Sequence, residues 1–301
     1  MTARYPSIDV IVNPAAGRGK VDVHSILTAL LSGRGHSWGV HCTTGRGHAT
    51  ELARAAAARG VDLVVAAGGD GTANEVGSGL LDSEAVLGLM PMGSGNALAR
   101  ALGLPIDPAK ALGEILDGDV RAIDAGTVAG RHFFSTAGVG LDALVSHLYA
   151  SRPDRRRGFL PYLALTLRAY PSYVPVETVI TLADGVEIRT HPTIATVANT
   201  SQFGNGAIIA PEALPDDGVL DVCVIDDTGV LRALWHSRRL FRGTIDRMPG
   251  VRLFRSRCIR IARPRPGLLQ VDGEATEAEA ILKVKILPRA VRVAVPRGGP
   301  R

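Results

Sequence analysis

The sequence predicts an α/β protein. It has an amino-terminal, doubly wound and mostly parallel sheet domain, and a carboxy-terminal domain that is mainly an antiparallel β-sandwich. Two observations lead to this prediction. In residues 1–124, apolar strand patterns alternate with helical patterns, as in parallel sheets. In residues 125–287, dipeptide turns separate consecutive strand patterns, as in antiparallel hairpins. We expect the last strand, within residues 288–301, to return to the first domain.

Repeated strand–helix units make up the first predicted domain. The apolar strand segments are Ile8–Val12, Trp38–Thr43, Val61–Ala67 and Val86–Met90. Helical spacing of apolar residues predicts helices over Val23–Leu31 and Ala49–Arg59. Strands that follow one another through helices in this way form parallel sheets with helices on both faces.

Hairpins make up most of the second predicted domain. The predicted hairpin turns are Ala129-Gly130, Asp184-Gly185 and Asp272-Gly273. Such dipeptides favour the left-handed backbone of tight turns. The first two turns lead into the predicted strands His132–Ala137 and Glu187–Val197. Helical patterns interrupt the strands at Leu141–Ala150, Phe159–Tyr170 and Leu231–Phe241.

The composition and the placement of charge bear on possible partners. Aromatic residues form only 4% of the 301 residues, so few side chains are available to stack on bases and we expect no nucleic-acid partner. The net charge of +5 is unevenly placed: nine arginines and one acid, Asp246, lie in residues 232–260. Arg152 and Arg155–Arg157 precede the apolar segment Phe159–Leu165. These patterns predict peripheral membrane contact, with ordinary solvated helix surfaces as the alternative.

Cysteine usage and hydropathy bear on the compartment. Cys42, Cys223 and Cys258 lie far apart in the sequence, without a C-x-x-C pattern, and are predicted to be buried small hydrophobes in a reducing compartment. The sequence shows no signal-peptide pattern and no run of about 18 apolar residues. We therefore predict a cytoplasmic protein that contacts the inner face of a membrane.

The turn after the third strand is the most informative segment. An apolar run ends at Gly68-Gly69-Asp70-Gly71, and a helical pattern begins at Thr72. Glycines let backbone N–H groups approach an anion, and a helix amino terminus favours negative charge. An aspartate in such a turn suits phosphate binding only if a cation lies between the two. The turn therefore predicts a nucleotide-and-metal site, with a plain strand–helix turn as the alternative.

Two further turns lie at the carboxyl ends of predicted strands, at Asn13–Gly19 and Gly93–Asn96. Ligands of parallel sheets collect at these ends, so we expect the three turns to converge on one crevice. They do not match the common nucleotide motifs. Val21 stands where a Walker A loop needs Ser or Thr, and Asn74 stands where the dinucleotide fingerprint needs its last glycine.

The turns are instead similar to a known family. The segments that carry the similarity are Asn13-Pro14-Ala15-Ala16-Gly17-Arg18-Gly19-Lys20, Gly68-Gly69-Asp70-Gly71-Thr72 with Asn74-Glu75, Gly93-Ser94-Gly95-Asn96, Pro215-Asp216-Asp217-Gly218-Val219-Leu220-Asp221, and Val271-Asp272-Gly273-Glu274. In this combination and order they resemble the diacylglycerol kinase catalytic family of lipid kinases, over nearly the whole chain.

The resemblance implies phosphorylation of a lipid hydroxyl by ATP with Mg²⁺, as in phospholipid biosynthesis, and it implies roles for individual residues. The implied ATP-binding residues are Asn13, Pro14, Gly17, Thr44, Gly68, Gly69, Gly71, Thr72, Glu75, Ser94 and Asn96. Asp70 would reach the catalytic Mg²⁺ through water, with Asp124 as a second acid near the metal. Glu274 would be the general base, although a solvated hairpin residue is the alternative.

The resemblance also implies a structural Mg²⁺ in the second domain. Its ligands would be the Asp217 carboxylate and the backbone carbonyls of Leu214 and Val219, which suit a hard cation. A loop aspartate without a metal is the alternative. The active site would lie between a nucleotide-binding first domain and a lipid-binding second domain.

Several alternatives stay open. Ala97 and Leu98 replace an acid and an aromatic residue of the family pattern, and the stretch Asn199–Ile209 lacks its compact glycine cluster. Diacylglycerol, sphingoid bases, ceramide-like lipids and phosphatidylglycerol are therefore all candidate acceptors. A kinase of a soluble hydroxyl compound, similar to NAD kinases, and a non-catalytic nucleotide or lipid sensor are rival functions. A homodimer is compatible with the sequence, which offers no support for it.

Overall fold

The computed structural model describes residues 4–19, 21–152, 159–227 and 229–299. It divides into two units, one formed by Met1–Ile123 with Arg289–Arg301 and the other by Asp124–Pro288. Lys20, which ends the first of the family-like segments, and the cluster Arg155–Arg157 lie outside the described residues.

The helices and strands alternate in the first unit and consist mostly of strands in the second. The elements up to the boundary are β1 Ser7–Val12, α1 Val23–Leu31, β2 Ser37–Cys42, α2 His48–Ala58, β3 Leu63–Gly68, α3 Asp70–Gly79, β4 Val86–Pro91, α4 Ala97–Ala101, α5 Pro108–Asp117 and β5 Asp119–Val128. The later elements are β6 Arg131–Phe133, β7 Thr136–Gly140, α6 Leu141–Ala150, α7 Phe159–Ala169, β8 Thr178–Leu182, β9 Glu187–Thr190, β10 Pro192–Ala198, β11 Gln202–Gly204, β12 Ala207–Ile208, β13 Leu220–Asp226, α8 Val230–Phe241, β14 Val251–Ser256, β15 Cys258–Ala262, β16 Gly267–Val271, β17 Glu274–Ala278 and β18 Ile281–Val295.

The first unit is built on a parallel sheet with the strand order β2-β1-β3-β4, and the end of β18 adds a further parallel strand beside β4. Every residue of β3 and β4 is buried, which explains why both strands have continuous apolar sequences. Val10 lies between Val40 and Val65 in the register of the sheet. This parallel sheet with its helices confirms the predicted fold class of the first unit.

Local sequence accounts for where two of these helices begin. The Asp22 carboxylate accepts a hydrogen bond from the backbone N–H of Ser25 at the start of α1, at 3.1 Å. The Asp107 carboxylate does the same for Lys110 at the start of α5, at 2.9 Å, and proline occupies the first helical position. Both are aspartate N-caps, which satisfy N–H groups that have no partner within the helix.

The second unit is an antiparallel β-sandwich, as predicted. One sheet has the strand order β14-β13-β10-β7-β16-β17. The other joins the first part of β18 to β15, β8 and β9. Side chains from both sheets form one buried cluster that includes Val139, Val222, Ile259 and Leu269, and Phe133 of the β5–β6 hairpin is also part of it.

Two predicted strands are each divided into two. His132–Ala137 contains the end of β6 and the start of β7, which belong to different sheets. Between them, the Asp272 carboxylate accepts hydrogen bonds from the backbone N–H groups of Phe134, Ser135 and Thr136, each at 2.9 Å. Asp272 is buried, so it replaces the ladder partners that these N–H groups lose at the break. Glu187–Val197 is likewise divided into β9 and β10.

The cysteine prediction is partly wrong. Cys223 is buried as expected, but Cys42 and Cys258 are exposed. Cys42 ends β2, which is an edge strand of its sheet, and Cys258 begins β15, so both lie where a strand reaches the surface. Among the described residues, no helix combines the length and apolar character that crossing a membrane requires.

The turns after β3 and β4 pack backbone against backbone. A Cβ added to Gly93 would lie 2.5 Å from the Cα of Gly69, and one added to Gly95 would lie 2.5 Å from Oδ2 of Asp70. A Cβ on Gly68 would lie 2.3 Å from Oγ1 of Thr72. Real Cβ atoms do not approach so closely. Gly93 and Gly95 therefore let the two turns come together, and Gly68 makes room for Thr72 within the turn after β3.

We expect Asp272→Ala to lower the free energy of unfolding by about 3 kcal/mol, because buried N–H groups would lose their acceptor. Urea unfolding followed by circular dichroism measures this. Asp184→Ala is the matched control, since Asp184 also precedes a hairpin glycine, and its bond within the described residues is a local one, to the N–H of Val186. An equal effect of both substitutions would contradict the role of Asp272.

We expect Gly93→Ala to destabilise the first unit by about 2 kcal/mol or more, because the added methyl group must push the turns apart. Gly45→Ala is the control, since a Cβ there would meet no atom within 4 Å and its φ is not positive. Thermal unfolding of both variants is the measurement. A Gly93→Ala protein as stable as the control would show that the turns can separate freely.

Candidate active site

Asn13 joins the first of the three turns, Asn13–Gly19, to the start of α3. The Asn13 side-chain amide donates to Oγ1 of Thr72 at 3.3 Å, while its carbonyl oxygen accepts from the N–H of Ala15 at 3.0 Å. Pro14 is exposed in this turn, and Gly17 has a φ of +63°, in the left-handed region that favours glycine. Asn13 and Thr72, predicted as parts of one site, are therefore in contact.

Asp70 joins the second turn, Gly68–Gly71, to the third turn, Gly93–Asn96. Its carboxylate accepts hydrogen bonds from the backbone N–H groups of Asn96, at 2.9 Å, and Ala97, at 2.6 Å. These N–H groups lie at the start of α4, so Asp70 caps a helix 26 residues further along the chain. Carboxylate oxygens suit a hard cation such as Mg²⁺, bound directly or through water.

The amino terminus of α3 has the chemistry of an anion site. Gly69 occupies its N-cap position and no side chain of the described residues caps it. Gly71 and Thr72 follow within the first turn of the helix. The first N–H groups of a helix have no intrahelical partner, and the helix dipole adds partial positive charge there. The N–H groups at this end of α3 can therefore donate hydrogen bonds to phosphate oxygens.

Two of the predicted ATP ligands use their side chains to hold the scaffold. The Glu75 carboxylate accepts from the N–H groups of Gly47, at 2.9 Å, and Ala49, at 3.2 Å, and so caps α2. The Asn96 side chain bonds to both the N–H and the carbonyl of Gly93, at 3.0 and 2.9 Å, and closes the third turn. The Glu75 side chain therefore stabilises the start of α2, and the Asn96 side chain stabilises the third turn.

Ser94 and Thr44 are exposed, as Pro14 is, and both carry a hydroxyl group. Ser94 lies in the third turn, between Gly93 and Gly95. Thr44 follows β2, and its hydroxyl and its N–H both lie 3.0 Å from Nδ1 of His48. Exposed hydroxyl groups at the carboxyl ends of strands are available to a bound ligand.

In the second unit, Asp124 holds the loop that contains Asp217. Asp124 is fully buried, its carboxylate accepts from the N–H of Gly218 at 2.7 Å, and its N–H donates to the Pro215 carbonyl at 2.6 Å. Asp217 accepts from the N–H of Val219 at 3.2 Å. Leu214, in the same loop, is partly exposed. Asp124 is thus bonded to the loop that contains the three predicted ligands of the structural metal.

An arginine pairs with the acids of this loop. The Arg255 guanidinium contacts the Asp217 carboxylate, and its Nε lies 3.6 Å from Asp221. Burial raises the pKa of Asp221 to about 6, against the lowering effect of Arg255. Within the described parts of the chain, no group of three or more His, Cys, Asp or Glu side chains could hold a metal. Arg255 therefore supplies the positive charge next to Asp217.

Glu274 begins β17, directly after the Asp272-Gly273 turn. Its Oε2 lies 3.1 Å from Nη2 of Arg131, and both side chains are about a third exposed, at 37% and 28%. The local sequence does not indicate the pairings of Arg131 and Arg255, because each arginine lies far along the chain from its partner. The predicted hairpin turn at Ala129-Gly130 indicates only that Arg131 begins the strand that follows.

Two family models together match nearly the whole chain. The diacylglycerol kinase catalytic domain model matches residues 7–128. The model of the YegS C-terminal NAD kinase β-sandwich-like domain matches residues 135–295. A diacylglycerol kinase of Bacillus subtilis is 33% identical over 238 residues, which are 78% of each chain.

Solved structures show the same fold. A Bacillus anthracis protein assigned as a diacylglycerol kinase superposes with a TM-score of 0.82 at 25% identity, over 99% of this chain and 98% of the other. An NAD kinase from Archaeoglobus fulgidus, solved with ATP, is similar in fold alone, with a TM-score of 0.52 at 12% identity over 96% and 94% of the two chains. From its matches to the family models and to the Bacillus subtilis enzyme, the chain belongs to the diacylglycerol kinase catalytic domain family, and it is a lipid kinase.

Proposed function

We propose that this enzyme transfers the γ-phosphate of ATP to the free hydroxyl of diacylglycerol, with Mg²⁺ as cofactor. The observation that carries the proposal is the joining of three glycine turns around the uncapped amino terminus of α3, with Asp70 beside it. The name of the Bacillus subtilis relative supports diacylglycerol as the acceptor. Residues 1–124 with the last strand, 288–301, would be the nucleotide domain, and 125–287 the lipid domain.

The first unit would bind the triphosphate. Backbone N–H groups at the start of α3 would donate to phosphate oxygens, since the glycines of the turn carry no side chain that shields them. Ser94 and Thr44 would add hydroxyl groups from neighbouring turns. Glu75 and Asn96 would act by holding α2 and the third turn in place through their backbone hydrogen bonds.

Asp70 is the residue that fits the catalytic metal. Carboxylate oxygens are the hard ligands that Mg²⁺ prefers, and the bonds from the N–H groups of Asn96 and Ala97 hold this carboxylate in one orientation. Bound Mg²⁺ would neutralise phosphate charge and help to align the transferred group. The Asp217 loop fits a metal less well, because Arg255 already pairs with that carboxylate.

Glu274 is the proposed general base. A carboxylate that is about a third exposed is accessible to a substrate hydroxyl, from which it would accept the proton during transfer. The Arg131 guanidinium contacts the carboxylate at 3.1 Å and would help to orient it. Asp272 supports the same arrangement, since it ties the chain after β6 to the turn that precedes Glu274.

Phosphorylation of a soluble hydroxyl compound is the rival activity, because NAD kinases share the fold. The relatives of higher identity are named as lipid kinases, which favours a lipid acceptor. The purified protein should be incubated with labelled ATP, Mg²⁺ and separated lipid classes, with NAD in a parallel reaction. We expect label in phosphatidic acid. Label in NADP alone would overturn the proposal, and label in another lipid would change the acceptor.

We expect Glu274→Gln to lower kcat by about a hundredfold or more, because the variant cannot accept the proton. Asp70→Asn should cause a loss of similar size through weaker metal binding. Glu187→Gln is the matched control, since Glu187 also pairs with an arginine on a strand of the second unit, at 3.3 Å. Circular dichroism should show folded proteins throughout. Full turnover by both active-site variants would contradict these roles.

We expect Arg131→Ala to lower kcat about tenfold with little change in KM for ATP, because Glu274 loses the partner that orients it. Arg131→Lys should recover part of the loss, since it keeps the charge but not the planar fork. Arg189→Ala removes the corresponding partner of Glu187 and should leave kcat unchanged. Steady-state kinetics at saturating ATP measure this, and an unchanged kcat in Arg131→Ala would exclude a positioning role.

A further inference from the structure

Helix α8 has an inward side that belongs to the core of the second unit. Leu240 packs against a buried cluster that contains Cys223, Ile245 and Met248. The helix ends at Phe241, and Arg242 is its C-cap. The position of Leu240 identifies the side of α8 that faces the protein.

The opposite side of α8 carries an aromatic residue among arginines. Trp235 is 69% exposed, and the Arg238 guanidinium lies over its ring, 5.1 Å from the centroid. Arg238, Arg239 and Arg242 follow Trp235 at spacings of three, four and seven residues, which places all four on one side of a helix. We call this side the tryptophan–arginine face: Trp235, Arg238, Arg239 and Arg242.

The arginines of this face differ in their pairing from those of β14, the next strand along the chain. On β14, Arg252 pairs with Asp226 at 3.1 Å and Arg255 pairs with Asp217. In the described parts of the chain, no carboxylate lies within ion-pair distance of Arg238 or Arg242. Favourable interaction with the carboxyl end of the helix dipole accounts for arginines there, but not for an exposed tryptophan among them.

We propose that the tryptophan–arginine face docks the enzyme on an anionic phospholipid bilayer. Guanidinium groups donate hydrogen bonds to lipid phosphates, and an indole ring prefers the level of the headgroups, where its apolar body and polar N–H are both accommodated. A helix that presents arginines and an exposed tryptophan side by side has the chemistry of an interfacial anchor. The proposal rests on the proposed function only in that the acceptor lipid lies in such a membrane.

The helix is firmly attached to the rest of the second unit at its start. Oδ1 of Asp227 accepts hydrogen bonds from the Tyr170 hydroxyl and from the N–H of Gly229, both at 2.9 Å. Gly229 is the N-cap of α8, and Tyr170 directly follows α7. Docking through α8 would therefore hold the whole lipid-binding unit at the membrane surface.

Sedimentation with vesicles tests the proposal on the full chain. Phosphatidylcholine vesicles that contain about one third phosphatidylglycerol should bind the protein, and pure phosphatidylcholine vesicles should bind it at least about tenfold more weakly. Arg238→Gln with Arg242→Gln should weaken binding to the anionic vesicles about fivefold for each arginine. Trp235→Ala should weaken it about tenfold, through lost burial of the indole.

Matched variants control for charge and exposed apolar area. Arg34→Gln with Arg54→Gln removes the same charge from exposed positions of the first unit, and Val174→Ala trims a side chain that is 77% exposed. Both should bind vesicles like the parent protein. Equal losses in the control and the α8 variants would show that vesicle binding depends only on net charge or on nonspecific hydrophobic adsorption. That result would overturn the proposal. Unchanged binding of the α8 variants would overturn it as well.

Two further measurements separate this proposal from its rivals. On a short-chain, water-soluble diacylglycerol, the α8 variants should keep the parent kcat/KM, because docking is not needed there. A parent protein that binds anionic vesicles through α8 but phosphorylates no lipid would refute the proposed function and leave the docking intact. Light scattering should show the same mass for the parent and Trp235→Ala. Loss of a dimer in the variant would assign the face to a second copy and overturn membrane docking.

Discussion

The arrangement of the first unit depends on the contact between the Asp70 carboxylate and the backbone at the start of α4. Its two hydrogen bonds, to Asn96 and Ala97, hold the turn after β3 against the turn after β4. The contact is possible only because Gly69 and Gly93 let the two backbones approach. The carboxylate is thereby oriented by backbone groups before any ligand binds. Orientation of this kind reduces the entropy lost when a catalytic group meets its substrate.

The second unit uses the same device at a different place. The Asp272 carboxylate satisfies the N–H groups of Phe134, Ser135 and Thr136, where the chain passes from one sheet to the other. The bonds hold the segment after Arg131 against the turn before Glu274. In both units, an aspartate of a tight turn binds the backbone of a distant segment, and a candidate catalytic carboxylate lies at or beside that turn. A functional role for these turns and a structural one are therefore compatible.

Arginines fall into two groups according to their surroundings. Arg131 and Arg255 lie beside carboxylates that they orient or neutralise, so their charge is used within the fold. Arg238 lies on a helix surface with an exposed tryptophan. Paired surface charges contribute little to the attraction of a partner, whereas charges without a local acid remain available to anionic lipids. The sequence cluster of arginines does not distinguish these groups, but their contacts do.

Sequence alone determined the fold class, the family and the turns, because apolar periodicity and glycine spacing are local properties of the chain. It placed β3 and β4 within two residues of their observed starts and identified Asp70, Asp217 and Glu274 as residues of interest. Tertiary structure decided what these side chains touch. The division of the predicted strand His132–Ala137 and the partners Arg131 and Arg255 depend on residues far along the chain, and no local pattern encodes such contacts.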